Sequence, residues 1–273
     1  MEEKPERLYH YTNLQSLALI LNNQTLRLMP LTGLDDPQEN QTADIQNLGR
    51  FFFASCWTDD QEESIPMWNM YASLDSGVRI SLPTSPFMRY KANVTEFAEA
   101  TGIPKENIQI EGDQYTFLPI SDLASGIISP QALSGDNILQ RIIYTDDRNL
   151  LRPTILSSDY SSLDFKYFGK VKNKKWEFQH EWRYIIQILP INVFDSSKTV
   201  NKRLANVLAR IIGNGQLPVP PFYDLHIDPA ILTEIEIVPS PKMSAGNRVL
   251  LDALLEKCGL TARIMESELV GLL

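Results

Sequence analysis

Residues 174–191, KKWEFQHEWRYIIQILPI, read as one long strand, and that strand restricts the fold more than any other stretch of the chain. Side chains alternate across a strand, so Glu177, Gln179, Glu181 and Arg183 fall on one face. Phe178, His180, Trp182 and Tyr184 fall on the other. A strand enclosed by protein on both sides should not carry two acids, a glutamine and an arginine together. Either that side meets solvent at the edge of a sheet, or it lines a cleft.

The elements around this strand predict a mixed α+β domain. RLYHYT, from Arg7, reads as a strand. TNLQSLALILNN then reads as a helix capped by Thr12 or Asn13, with Leu14, Leu17, Ala18 and Leu21 on one face. TLRLM (Thr25 to Met29) predicts a second strand, PLTGLDDPQEN a loop, and RFFFASCW (Arg50 to Trp57) a buried strand. Ser64 and Pro66 are placed to start the short helix PMWNMYASL, and GVRISL resumes strand alternation. The region from Pro83 to Asp147 reads as helix and strand fragments, an elaboration on the core. Beyond the long strand, NKRLANVLARIIG, ILTEIEIVPSP, NRVLLDALLEKCGL and TARIMESEL predict helix, strand, helix and strand, with PVPPF a rigid loop. The expectation is one domain over residues 1–273, with 83–147 as its insertion.

At 273 residues and 43% hydrophobic, such a core needs no disulfide or metal staples. A formal charge of −9 argues against a generic nucleic-acid coat or an anionic-membrane surface. One local basic segment, Lys166 to Arg183, stands against that balance. Cys56 and Cys258 have no metal-ligand spacing, and Cys56 reads as a buried free thiol. MEEKPER lacks the apolar stretch of a signal peptide, and no run approaches the roughly 20 apolar residues of a membrane span. A soluble, cytoplasmic protein is expected.

Several residues admit two readings. His10 between Tyr9 and Tyr11 is either a packed boundary histidine or the first residue of a site. Trp68 and Tyr71 lie three apart and share a helix face, as core packing or as a platform for a flat ring. A P-loop and a dinucleotide fingerprint are both absent; GNG at Gly213 is isolated.

The order of these features resembles a bacterial family of unknown function. Its members carry an LYHYT strand, an Asn-Asp-Pro loop, a MW..Y helix before a GV strand, and a late strand with E.E.R. Here these are Leu8 to Thr12, LDDPQE (Leu34 to Glu39), PMWNMYASLDSGVRI and KKWEFQHEWRYII. Asp35 stands where the family has asparagine, and Gln179 where it has the first late acid. That arrangement is in turn similar to the ADP-ribosyltransferase fold with a His–Tyr–Glu triad.

The resemblance implies a largely antiparallel sheet and NAD as substrate. It implies His10, Tyr71 and Glu181 as catalytic residues, with His10, Tyr11, Trp68, Tyr71 and Arg27 around the nicotinamide and pyrophosphate. Arg7 and the lysines near Lys174 are further candidates for the pyrophosphate, and Gln179 for positioning an acceptor, protein or nucleic acid. The chemistry suits these residue types. Cleaving the nicotinamide–ribose bond builds an oxocarbenium-like cation, which a fixed carboxylate stabilises more than it does the ground state.

Two other functions compete. Asp35, Asp36, Glu39 and Glu181 could hold a metal for phosphodiester hydrolysis, an activity that EDTA would abolish. Alternatively, the chain keeps the fold as a non-catalytic binding module, and its effect would then survive Glu181→Gln. The transferase reading requires no metal.

Overall fold

The computed structural model describes residues 4–273 except 93, 102–103, 106–113, 120–121, 123–126, 129–137, 159–162, 191–199, 214–216 and 261. Its centre is a nine-stranded sheet: β1 (Arg7–Asn13), β2 (Thr25–Pro30), β3 (Phe52–Thr58), β4 (Gly77–Pro83), β5 (Leu139–Arg141), β6 (Glu181–Gln187), β7 (Tyr223–His226), β8 (Glu236–Pro239) and β9 (Arg263–Ile264). The path runs β7-β2-β3-β1-β4-β8-β9, with β6 also on β3 and β5 on β6. Every pairing in it is antiparallel except β8 with β9. The fold is mixed α and β on a largely antiparallel sheet.

The long strand of the sequence reading is only half a strand. Residues Lys174–Gln179 wind into a 3₁₀ helix whose cap, Asn173, accepts from the Lys175 N–H. His180 takes a left-handed conformation (φ 45°) and turns the chain into β6. Glu177 and His180 are thereby exposed, and the period-two face keeps only Glu181, Arg183, Ile185 and Gln187. Nor is β6 an edge. It pairs with β3 along its length and with β5 on the other side, and Glu181, Arg183 and Gln187 are all buried.

Both faces of β3 and β6 are covered, which explains the unbroken apolar run in RFFFASCW. On one side Phe53, Trp57, Trp182, Tyr184 and Ile186 join the core made with Leu17, Leu21, Ile80 and Leu251. On the other, Phe52, Ala54 and Ile185 pack on Leu31, Phe168, Val207 and Ile211. Helix α1 (Leu14–Asn23) starts where the Asn13 side chain accepts from the Ser16 N–H, and buries Leu14, Leu17, Ile20 and Leu21. Helix α2 (Ile65–Tyr71) starts at Ser64, whose hydroxyl caps the Met67 N–H.

Two further expectations change. TARIMESEL supplies only the two-residue β9, and Tyr223–His226, outside the sequence reading, is a full partner of β2. Within 83–147, the segment Leu139–Arg141 belongs to the main sheet as β5. The expectation of an insertion over the rest falls in part on residues outside the described set. Among the described residues, no helix is long and apolar enough to cross a membrane.

Candidate active site

Strand β6 occupies one edge of β3 along all seven residues, so β1 and β2 must share the other. They do so at opposite ends. β1 meets β3 at Tyr9↔Thr58 alone, and β2 at Met29↔Ala54 and Pro30↔Phe53. Between them the sheet splits, leaving the stretch Ser55–Trp57 facing an open wedge. A cleft of about 450 Å³ fills that wedge, lined among others by His10, Asp35, Tyr71, Lys172, Gln179 and Glu181. That volume lies in the range of small-molecule sites.

His10 spans the split: its Nδ1 lies 2.8 Å from the Cys56 carbonyl. A carbonyl only accepts, so Nδ1 carries the proton and Nε2 keeps its lone pair. Burial pushes the imidazole below its ordinary value, partly offset by this bond, so His10 is neutral at neutral pH. Its ring is tilted against Trp57, with centroids 5.0 Å apart. Burial, followed by the charge of Glu181, raises the Cys56 thiol well above its ordinary value, which leaves it protonated.

Glu181 opens β6 directly after the His180 kink. Its Oε2 receives the Lys172 ammonium at 2.8 Å, and its Oε1 receives Nε of Arg183. Lys172 also reaches Gln179 Oε1 at 2.8 Å and Glu39 Oε1 at 3.2 Å. Arg183 pairs with the other oxygen of Glu39 and donates to the Gly169 carbonyl at 3.1 Å. Burial alone would raise the Glu181 carboxyl. Arg183 and Lys172 outweigh it and hold the group at about 2. For Glu39 burial prevails over the same two cations, and its carboxyl is pushed up.

A hydrogen-bonded chain leads outward from this cluster. Lys172 donates to Gln179, the Gln179 amide donates to the Tyr71 hydroxyl at 2.5 Å, and Tyr71 donates to Asp35. Asp35 sits at the mouth, its side chain 37% exposed, with Oδ1 3.9 Å from the Lys172 nitrogen. Burial, reinforced by Asp35, raises the Tyr71 phenol, so it remains a donor. Gln179 is 3% exposed and its amide is shared between Lys172 and Tyr71.

The other sequence candidates distribute unevenly. Tyr11 lines the cleft, but its hydroxyl accepts from the Ser64 N–H and so pins the start of α2 to β1. Trp68 does not line it. That ring is wholly buried, edge-on to Tyr11, with its N–H donated to Glu63 at 2.8 Å, so no ligand ring can stack on it. The turn of α2 that carries Met67 and Tyr71 toward the cleft carries Trp68 into the core. Arg27 lines the cleft but is held two-pronged by Asp224, at 2.9 Å twice, and lies over Phe222. Arg7 is elsewhere, bound to Ser81, Glu236 and the Glu234 carbonyl, and Lys174 faces Asp146 on the exposed surface.

The acids suggested for a metal surround a lysine instead. The Lys172 ammonium occupies the point between Glu39, Glu181 and Asp35. Asp36 caps its own turn, accepting from the Gln38 N–H. Among the described residues no group of three or more His, Cys, Asp or Glu side chains is arranged to hold a metal ion. The sequence reading offers Lys172 only among the lysines near Lys174, as a pyrophosphate candidate, and does not single it out as a partner of the acids. The parallel pairing of Val171–Asn173 with Ile143–Thr145 brings it inside.

No protein-family model and no curated protein matches the chain. Among solved structures, Thermus sp. 2.9 DarT in complex with NAD+ aligns over 98% of both chains at 11% identity, with a TM-score of 0.31. A TM-score that low does not establish a shared fold, and the chemistry has to be read from the cleft itself.

Proposed function

We propose that this protein binds NAD in the split of its sheet and cleaves the nicotinamide–ribose bond, passing ADP-ribose to an acceptor. One observation carries the reading. His10, Tyr71 and Glu181, from three separate elements, line one cleft of about 450 Å³. They are the residue types that such a cleavage uses. Glu181 is ionised and fixed by two cations, so its negative oxygens need no reorganisation as cationic character grows on the ribose. Tyr71, its hydroxyl tied on both sides, offers a ring of set orientation for nicotinamide to stack on. His10 offers Nε2 as an acceptor for a ribose hydroxyl or the carboxamide.

The test is to incubate purified protein with NAD labelled in the adenine half, plus bacterial lysate as a source of protein and nucleic-acid acceptors, with and without EDTA. Nicotinamide release and label transfer that survive EDTA and vanish in Glu181→Gln support the reading. Turnover lost to EDTA would favour a metal enzyme instead. Absence of turnover from both proteins would leave a binding module.

A further inference from the structure

Charge balance in the cleft singles out a residue that the triad does not include. Among the described residues, Glu39, Glu181 and Asp35 are three carboxylates in contact with two cations, Lys172 and Arg183. The inner two take both. Glu181 spends one oxygen on each cation, and Glu39 does the same. The remaining charged pair on the lining, Arg27 with Asp224, is self-neutral. The odd negative charge therefore belongs to Asp35, at the mouth, where 37% of the side chain is open.

This division matters for proton transfer. A sealed carboxylate gripped by an ammonium and a guanidinium stabilises positive charge but is a poor base. Glu181 is held at about 2. An acceptor that attacks through a hydroxyl, or water itself, must lose a proton as it bonds to the ribose.

We propose that Asp35 is the general base of the transfer half of the reaction, and that the acceptor is a hydroxyl group or water. The assignment rests on the NAD reading above. The acceptor oxygen forms a bond to the anomeric carbon of the ribose as the carbon–nitrogen bond breaks. The bonding pair passes to the pyridinium nitrogen, which leaves as neutral nicotinamide, and the acceptor proton goes to an Asp35 oxygen. Tyr71, donating to Oδ2, and the Asp36 N–H, 3.1 Å from Oδ1, hold the carboxylate in place.

Asp35→Asn tests it, since the amide oxygen can still accept from Tyr71. Nicotinamide release is followed with water as acceptor, then with added sodium azide, a nucleophile that carries no proton to remove. The expected result is a loss of about 10²–10⁴-fold in kcat with water, little change in KM, and recovery with azide as an ADP-ribosyl azide product. Glu181→Gln should not be rescued. Thermal unfolding of Asp35→Asn close to that of wild type excludes a folding defect. Wild-type turnover matched by Asp35→Asn in water overturns the base alone, as does a loss that azide fails to restore. Absence of turnover from wild type overturns the NAD reading and this assignment with it.

Discussion

Lys172 Nζ stands 2.8 Å from Glu181 and 3.2 Å from Glu39, and its side chain is 2% exposed. A lysine so placed is the hub of the site: removing it leaves two buried acids against one guanidinium. Breaking a buried pair from one side costs about 3–5 kcal/mol, because the stranded charge keeps its desolvation penalty. Lys172→Met should therefore lower the urea-unfolding free energy by about that amount. Adding Glu39→Gln should return part of it, with a coupling of roughly 0.5–3 kcal/mol. Strict additivity of the two changes would show that the acids are not coupled through Lys172.

Gly169 supports the same cluster from behind. Its φ of 73° is in the left-handed region, and a Cβ there would lie 2.8 Å from both Ile185 Cδ1 and Leu31 Cδ1. Its carbonyl also receives Arg183. Gly169→Ala combines left-handed strain with overpacking, for an expected loss of about 2–4 kcal/mol. Chemical denaturation measures it, and a change below 0.5 kcal/mol, on the order of an ordinary surface substitution, would refute the account.

How much of this was legible in the sequence differs element by element. The apolar strands and capped helices are readable because their signals are local: Asn13 and Ser64 cap helices that any chain would start there, and RFFFASCW needs cover on both sides. The kink at His180 is not readable, since 3₁₀ winding over Lys174–Gln179 leaves an alternation indistinguishable from strand. His10, Tyr71 and Glu181 emerge as a group only through their order along the chain. Lys172 is not separable from the neighbouring lysines in sequence, because its partners Glu39 and Glu181 arrive from distant parts of the chain.

Acid should expose the strain in the ion cluster. Glu181 titrates at about 2 in the fold against 4.5 for the free side chain. Its contribution is complete above 4.5. It is lost as pH falls toward 2, where the unfolded chain takes a proton that the folded one refuses. The difference corresponds to roughly 3 kcal/mol. Glu39, raised by burial, works in the opposite sense. Urea unfolding at pH 5 and pH 3 should show a larger loss for wild type than for Glu181→Gln. Equal losses would place the acid sensitivity elsewhere.

Trp68 and Tyr71 share a helix but have different work. Trp68→Phe removes the bond to Glu63, which also receives the Ser267 hydroxyl and the Glu268 N–H, and so loosens the hold of the C-terminal segment on α2. The expected cost is about 1–3 kcal/mol of stability, with KM for NAD unchanged. Tyr71→Phe keeps the ring and cuts the link between Gln179 and Asp35. It should cost about 1 kcal/mol or less in stability but lower NAD turnover at least tenfold. Calorimetry beside turnover kinetics separates the two, and a Trp68→Phe variant with raised KM would restore that ring to the site.

His10 supplies a pH signature in a different range. Its folded imidazole resists protonation because burial disfavours the cation, while the unfolded side chain protonates near 6.5. Stability is therefore full above that value and declines as pH falls through it, the unfolded state binding the extra proton. His10→Asn places an amide N–H where Nδ1–H now meets the Cys56 carbonyl, so the bridge across the split is kept without a titrating group. Thermal unfolding between pH 7.5 and 5.5 should show a falling Tm for wild type and a flatter line for His10→Asn. Parallel lines would mean that the imidazole gains protons freely in the fold, which would remove the neutral His10 on which its role toward NAD depends.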